Sequence, residues 1–348
     1  MERLFLFVLL FILFSCEGRE NSFRGNMRYA FAFNKDIFLE SKMDTDIDTI
    51  GPLQIDFFLP YIITTVYRSP YFAKIYNDPL KEDLGYYFSK GLGPKEFLSF
   101  GILNQRQENS LWVQDYVNKR LYNIDLLETI KEKDASIKKR ISYKEIEDPL
   151  QLFYFSDSLF LIKSFENQKG LMYRWYNPIQ KNFVKNEILL YKEVLVQKDL
   201  NNIMTLADCL KPDGSKIASL TGSLNQIDIL DLKDNSLNIS FTTGKQVITL
   251  QDVREGRIND YYLSLPRCND YRIFALFQNK QNNNSKEIHV ISWSGEPLYR
   301  LCIKEDLRDF NINWNTKILY GIDSNDIIYK YDISALDTGE RENHSFIE

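Results

Sequence analysis

Histidine is the rarest residue in this sequence, with two in 348 residues, His289 and His344. That leaves too little imidazole for a histidine-based catalytic centre or a multi-histidine metal site. Positive charge is not in excess either, since 43 Lys and Arg face 48 Asp and Glu, which disfavours nucleic-acid binding. The G-x-S-x-G, H-E-x-x-H and EF-hand motifs are absent. We therefore assign no catalytic, cofactor-binding or metal-binding residue.

Cysteine is also scarce. The chain has four cysteines, and none forms a C-x-x-C pair, which argues against a zinc site. Three of them, Cys209, Cys268 and Cys302, are far apart in sequence. Export to an oxidising compartment would permit one disulfide among these three. The pattern favours the alternative, in which they are small buried hydrophobic side chains.

Only one long hydrophobic run is present, and it lies at the N-terminus. Residues 4–14 are eleven consecutive apolar residues, too few to span a ~30 Å hydrocarbon core but typical of a secretion signal. The run ends in Leu13-Phe14-Ser15-Cys16, which resembles a bacterial lipobox. It predicts cleavage before Cys16 and lipidation of the Cys16 thiol, and several acyl chains anchor a protein stably. The alternative is an uncleaved signal anchor followed by an ordinary cysteine.

These features predict the domain organisation. A lipoprotein signal peptide covers residues 1–15, a flexible tether covers 16–27, and a folded domain covers 28–345. The tether is inferred from the polar, glycine-containing sequence that follows Cys16. The protein is thus expected in the cell envelope, lipid-anchored to a membrane on its periplasmic or outer side.

The remainder of the chain is rich in strand-forming residues. It contains 24 Phe and 21 Tyr, which favour pleated surfaces, and no segment past residue 40 has a long helical period. Short strands alternate with polar turns such as Lys211 to Ser215, where Pro, Asp and Gly favour tight turns.

The strands recur in six similar units between about residues 45 and 340. The clearer copies span 111–126, 216–232, 273–295 and 318–333, and the weaker copies span 61–88 and 159–180. A spacing of roughly 50 residues suits four-stranded blades with long loops. The chain is therefore predicted to be all-β, a six-bladed β-propeller. A two-sheet sandwich is the alternative, but it gives no reason for six repeats.

A ring of blades must also be closed, because an open ring leaves strand edges exposed. Residues 28–39 are strand-like and far in sequence from the last unit. We predict that they supply the outer strand of the last blade.

The segment Gly91-Leu92-Gly93-Pro94-Lys95-Glu96-Phe97 is interpreted as a connector between blades. Its glycines permit positive φ or close backbone approach, and Pro94 stiffens the turn. Glu96 could accept backbone N–H bonds, and Phe97 could be buried against the next blade. A phosphate loop is the disfavoured alternative, because no helix and no Lys-Ser/Thr pair follow.

This connector, the run from Ile288 to Tyr299 and the lipobox are together similar to the TolB-like six-bladed propeller lipoproteins of Bacteroidota. The resemblance covers nearly the whole mature chain and implies the same fold and an envelope location. The chain departs from the family at Leu92-Gly93-Pro94-Lys95, where a small or basic residue and a later Gly are more usual. Asp157-Ser158-Leu159 and Asp48-Thr49-Ile50 are also similar to the O-glycosylation acceptor of exported proteins in that phylum.

Aspartate and tryptophan each have a structural and a functional interpretation. Turn capping is favoured for the aspartates. The alternative is that they bind a metal in the central channel, as in sugar-lactonase-type propellers. Calcium would be the suitable metal, because it needs only oxygen ligands. Packing of blade on blade is favoured for the tryptophans, and carbohydrate stacking is the alternative. His289 is expected to be a packed or surface side chain. The residues concerned are Asp115, Asp125, Asp213, Asp231, Asp323, Asp326, Trp112, Trp175, Trp293 and Trp314.

The sequence favours a non-catalytic binding or scaffolding module whose loops contact a protein or glycan partner. It predicts no cofactor and no nucleic-acid partner, and contact with a membrane only through the lipid anchor. The alternatives are a metal-dependent, lactonase-like hydrolase working in the channel, and a purely structural envelope component. Three or more converging carboxylates and amides in the channel would favour the enzyme, whereas a mixed lining would favour binding.

Overall fold

The computed structural model describes residues 24–30, 32–43, 52–78, 82–103, 110–146, 149–166, 169–184, 187–191, 207–220, 225–243, 249–257, 260–279 and 285–339. The predicted signal peptide, Cys16, Asp48-Thr49-Ile50 and His344 lie outside these residues. The predicted tether extended to residue 27, but the first strand begins at Asn26.

The described chain forms six sheets that follow one another in sequence, each built from consecutive antiparallel strands. They are preceded by three short N-terminal strands, β1 (Asn26–Ala30), β2 (Lys35–Phe38) and β3 (Ser41–Met43). Blade 1 contains β4 (Pro52–Phe58), β5 (Tyr61–Val66), β6 (Tyr71–Asn77) and β7 (Glu82–Ser89). Blade 2 contains β8 (Gly101–Ile102), β9 (Ser110–Asp115), β10 (Arg120–Asp125) and β11 (Ile137–Ser142). Blade 3 contains β12 (Pro149–Ser156), β13 (Leu159–Glu166), β14 (Gly170–Asn177), β15 (Asn182–Phe183) and β16 (Ile188–Leu189).

The second half of the ring repeats this pattern. Blade 4 contains β17 (Ala207–Leu210), β18 (Lys216–Leu220), β19 (Gln226–Asp231) and β20 (Ser236–Thr243). Blade 5 contains β21 (Asp260–Cys268), β22 (Arg272–Asn279), β23 (Ser285–Ser292) and β24 (Pro297–Cys302). Blade 6 contains β25 (Leu307–Asn313), β26 (Ile318–Asp323) and β27 (Ile328–Asp332). The six-bladed propeller predicted from the repeated units is confirmed, with one blade for each unit.

Helices are short in the part of the chain that the structure describes. They are α1 (Leu126–Glu132), α2 (Leu250–Arg254) and a 3₁₀ helix at Ser334–Gly339. None of these described helices is long and apolar enough to cross a membrane.

The hydrophobic core is divided among the spaces between blades. Each of six apolar clusters joins one blade to its neighbour, and one of them joins blade 6 to blade 1. Middle strands are consequently covered on both faces, and all six residues from Arg272 to Phe277 in β22 are buried. Burial on both faces explains why these strands read as apolar runs instead of alternating patterns.

The N-terminal strands close the ring differently from the prediction. The expected closing segment, residues 28–39, does not enter the last blade: β1 pairs in parallel with β20, and β2 pairs in parallel with β24. The fourth strand of blade 6 is instead β3, which pairs with β27. The N-terminal segment instead passes along the outer edges of blades 4, 5 and 6 in turn, so a strand of it covers each of these three edges.

Candidate functional site

The first strand of each blade lies nearest the axis of the ring. In the second half of the ring these inner strands touch in order, β17 against β21, β21 against β25, and β25 against β4. All four carry a charged side chain that is almost fully buried, and those of β21, β25 and β4 lie together: Arg267, Asp309 and Asp56. We call these three residues the axial cluster. They show whether the channel lining is a set of converging carboxylates and amides, as an enzyme would need, or a mixed set.

The axial cluster combines opposite charges with few hydrogen bonds. Arg267 Nη2 lies 3.6 Å from Asp309 Oδ2. Asn311 Nδ2 donates to Asp56 Oδ1 at 3.2 Å and to the Ile55 carbonyl at 2.8 Å. All three Arg267 nitrogens and both Asp309 carboxylate oxygens lack hydrogen-bond partners among the described residues. The hydrogen-bonding capacity of this cluster is therefore largely unused.

Burial dominates the electrostatics of these carboxyl groups. It raises the pKa of Asp56 to about 6, although the nearby Arg267 guanidinium acts in the opposite direction. Burial also raises the pKa of Asp309, again opposed by Arg267. Desolvation disfavours the charged form of an acid, whereas a neighbouring cation favours it.

Two carboxylates and one amide thus converge, as they would in a metal-dependent propeller enzyme. A guanidinium lies beside them, however, and its positive charge repels a divalent cation and neutralises carboxylate charge. Among the described residues, no group of three His, Cys, Asp or Glu side chains could hold a metal ion. The lining is thus mixed, and the arginine makes it a poor fit to metal-dependent hydrolysis.

A second buried ionic cluster joins blades 3 and 4. Lys163 Nζ lies 2.5 Å from Asp208 Oδ1 and 3.0 Å from Ser219 Oγ, and the Tyr173 hydroxyl donates to Asp208 Oδ2 at 2.7 Å. Asp228 is buried nearby and accepts hydrogen bonds from Ser240 Oγ and Gln226 Nε2. The charged atoms of Lys163 and Asp208 all have hydrogen-bond partners within this cluster. We therefore interpret it as a contact that holds blades 3 and 4 together.

Sequence reasoning missed both clusters. The sequence did contain an indication of Lys163, because this lysine interrupts a mainly apolar strand between Leu159 and Phe165. The sequence contained no such indication for Arg267, because its neighbours in sequence do not show that it lies near the axis. Lys163 and Arg267 each pair with a residue from the next blade, which no local pattern could identify.

The predicted turn-capping role of the aspartates is confirmed at most positions. Asp115 accepts from the Asn118 amide, Asp125 caps α1 through the Glu128 amide, and Asp323 accepts from the Asn325 and Ile327 amides. The carboxylates of Asp213 and Asp231 accept amide hydrogens in their own turns. Asp326 differs, because it pairs with the Arg308 guanidinium.

The tryptophans pack blade on blade, as predicted. Trp112 of blade 2 stacks on Tyr154 of blade 3 with ring centroids 4.0 Å apart, and Trp314 of blade 6 contacts Phe274 of blade 5. Trp175 donates its indole N–H to Asn235 of blade 4. Trp112, Trp175 and Trp293 are buried, so these three rings offer no exposed platform for a sugar.

His289 is a packed core residue, which is one of the two placements that the sequence left open. It is buried in blade 5, where Nδ1 lies 3.0 Å from the Tyr262 hydroxyl and Nε2 lies 2.9 Å from Glu287 Oε1. Burial lowers the pKa of His289, opposed by the Glu287 carboxylate. Ser158, from the possible glycosylation acceptor, lies in the exposed turn between β12 and β13.

The connector after blade 1 has the structure that its sequence predicted. A Cβ atom at Gly91 would lie 2.0 Å from Glu96 Oε2, so the glycine permits a close approach. Glu96 Oε2 accepts the Gly93 amide at 2.7 Å. Phe97 is fully buried and meets Tyr122 of blade 2 edge-on. The motif is a rigid blade connector.

This connector supports a group of exposed apolar side chains. Three adjoining segments carry them: the turn after β5, the connector itself and the turn after β9. Leu92 is the most exposed of them, with 84% of its surface accessible to solvent. We call these residues the loop patch, and they are Tyr67, Leu92, Leu98, Tyr116 and Val117.

Hydrogen bonds hold the three segments of the loop patch together. The buried Asp115 carboxylate accepts the amides of Leu98 and Ser99, and Ser99 Oγ accepts the Val117 amide. Lys90 Nζ donates to the Tyr67 carbonyl at 3.1 Å. The loop patch is thus pre-formed on a fixed backbone.

The fold is shared with solved propellers of low sequence identity. A candidate exported protein of Bacteroides fragilis is 12% identical, with a TM-score of 0.55 over 88% of this chain and 99% of that one. A DUF4221 family member from Bacteroides vulgatus is 10% identical, with a TM-score of 0.55 over 90% and 98%. Hydrazine synthase of Kuenenia stuttgartiensis is 11% identical, with a TM-score of 0.50 over 84% and 82%. No family model matches the chain, and no curated protein matches it. These similarities show the propeller fold.

Proposed function

We propose that this protein is an exported propeller, lipid-anchored through Cys16, that acts as a non-catalytic binding module. Its loop patch docks a partner protein in the cell envelope. The TolB-like resemblance and the exported-protein description of the Bacteroides fragilis propeller agree with this location. Arg24, where the described structure begins, is eight positions after Cys16 in the sequence. A fully extended chain of that length reaches at most roughly 29 Å, so the anchor would hold the propeller close to the membrane.

The observation that carries the proposal is the exposure of the loop patch. Leu92, Tyr67 and Val117 are each more than 60% exposed, although burying such side chains is worth about 1.5–3 kcal/mol each. Exposed apolar groups that share a rigid frame are typical of an interaction site. The rigid frame also lowers the entropic cost of association.

The charges around the loop patch indicate the chemistry of the partner. Arg68 and Lys90 are exposed beside Tyr67. Two carboxylates that contact these segments, those of Asp115 and Glu96, are already engaged with backbone amides. A partner surface with an apolar centre and acidic rim would complement this arrangement. A protein is favoured over a glycan because the aromatic rings best suited to sugars, those of the tryptophans, are buried or packed between blades.

The experiment is site-specific photo-crosslinking in cells that produce the full-length protein. A benzophenone side chain replaces Tyr67, and the same group replaces Ile179 as a control. Ile179 is 70% exposed and lies in a turn of blade 3. We expect a discrete protein adduct from position 67 and none from position 179. Substituting Leu92→Asp and Val117→Asp together should abolish the adduct at 67 without lowering the melting temperature.

The docking proposal is wrong if positions 67 and 179 give the same adducts. It is also wrong if the adduct at 67 survives the double substitution, or contains only lipid. The anchor is tested separately: Cys16→Ala should abolish incorporation of labelled fatty acid and release the protein from membranes. Unchanged membrane association and labelling would contradict lipidation at Cys16.

A further inference from the structure

Cys209 and Cys268, both free thiols in this structure, come together at the boundary between blades 4 and 5. Cys209 lies on β17 and Cys268 on β21, and these inner strands lie against each other. Cys209 is fully buried, and Cys268 is half-buried against the same apolar cluster. The two residues are 59 positions apart in sequence, so only the ring brings them together.

The contacts between the two strands place both thiols in one small region. The Cys268 thiol donates to the carbonyl of Leu210, the residue after Cys209, at 3.2 Å. Burial, and then the neighbouring Cys268 thiol, raise the pKa of the Cys209 thiol well above its usual range. Cys302 is elsewhere, at the end of β24, where burial raises the pKa of its thiol and Arg300 opposes that shift.

We propose that Cys209 and Cys268 form a disulfide that joins blades 4 and 5 when the protein meets a thiol-disulfide oxidant. The more exposed Cys268 thiol first displaces one sulfur of the oxidant's disulfide and forms a mixed disulfide. Cys209 then attacks the Cys268 sulfur and releases the second oxidant sulfur as a thiol. Two S–H bonds are lost and one S–S bond forms, and both electrons and both protons pass to the oxidant, whose disulfide is reduced to two thiols.

The disulfide would constrain the unfolded chain. Closing a loop of this length removes conformational entropy from the unfolded state. For a domain of this size we expect oxidation to raise the melting temperature by roughly 5–10 °C. The same bond would tie together two blades whose outer edges are already covered by β1 and β2.

The test uses the full-length protein purified with reductant and then exposed to oxidised glutathione. Free thiols are trapped with N-ethylmaleimide after denaturation, and proteolytic peptides are identified by mass spectrometry. We expect one linked peptide that contains Cys209 and Cys268, with Cys302 alkylated. Cys302→Ser should keep the linked peptide, whereas Cys209→Ser and Cys268→Ser should each lose it together with the rise in melting temperature.

Alkylation of both Cys209 and Cys268 in the oxidised protein would overturn the proposal. So would a glutathione adduct on Cys268 that never resolves, or a linkage through Cys302. Cys268→Ser leaves the buried Cys209 in place, so it remains informative if Cys209→Ser does not fold. Because the oxidant is added to purified protein, the result does not depend on export or on the proposed docking function.

Discussion

The two buried ionic clusters differ in how completely their charges are paired. Lys163 and Asp208 are fully buried, and their charged atoms contact one another, Ser219 and Tyr173 at 2.5–3.0 Å. Arg267 and Asp309 are also more than nine-tenths buried, but their nearest charged atoms are 3.6 Å apart and otherwise lack partners. Equal burial therefore has different consequences. The first cluster pairs its charged atoms across an interface between blades, whereas the second leaves charged atoms near the axis without hydrogen-bond partners.

The largest effect should follow from removing the cation of the well-paired cluster. Lys163→Met leaves the Asp208 carboxylate buried and without its cation. We expect a loss of about 3–5 kcal/mol in the free energy of unfolding, as when one partner of a buried ion pair is removed. Urea denaturation followed by intrinsic fluorescence measures it. The double variant Lys163→Met/Asp208→Leu should recover part of the loss, and no recovery would contradict the pairing.

The next effect concerns Asp228, which lies beside the Lys163 cluster. Burial raises its pKa to about 6, opposed by hydrogen bonds from Ser240 and Gln226. Because its pKa in the folded state is above the unfolded value of 3.8, the contribution of Asp228 to stability is most favourable below pH 3.8 and is lost as the pH rises through 6. At about 1.4 kcal/mol per pKa unit, the carboxylate costs about 3 kcal/mol above pH 6.

Asp228→Asn removes this titration. The variant should therefore gain up to about 3 kcal/mol relative to the wild type between pH 4 and pH 8. Urea denaturation at a series of pH values measures the difference. A difference between the two proteins that does not change with pH would show that Asp228 is not protonated preferentially in the folded state.

A smaller effect is expected from the loosely paired cluster. Arg267→Met removes the charge that opposes the raised pKa values of Asp56 and Asp309. At pH 5 Asp56 can remain protonated, whereas at pH 8 both carboxyls are charged and unpaired. We expect a loss of about 1–3 kcal/mol at pH 8 and less at pH 5. If Arg267→Met lowers the free energy of unfolding as much as Lys163→Met does at every pH, the two clusters do not differ as we infer.

The smallest effect should come from an exposed ion pair. Lys138 Nζ lies 3.4 Å from Asp125 Oδ2, and its side chain is 55% exposed. Lys138→Ala should change the free energy of unfolding by less than about 0.5 kcal/mol, because solvent screens such pairs. The same denaturation assay serves as the measurement, and a loss above 1 kcal/mol would show that charge alone, without burial, is stabilising here.

Local features of the fold were predictable because their causes are local. The strand-and-turn units, the capping aspartates and the Gly91–Phe97 connector each depend on residues a few positions apart. The closing strand was assigned to residues 28–39 because that segment resembles a strand, but a strand pattern does not specify its partner edge. The three partner edges, on β20, β24 and β27, belong to blades far along the chain that meet the N-terminal segment only when the ring closes.

The amino-acid sequence by itself determined that this protein is all-β and has six repeated units, because periodicity and turn residues act over short distances. Only the tertiary structure decided which charges and thiols meet. Lys163 pairs with Asp208, Arg267 with Asp309, and Cys209 approaches Cys268, in each case across a boundary between blades. Closing a ring converts separations of some 40–60 residues into direct contact, and in a single sequence such pairs leave no periodic trace.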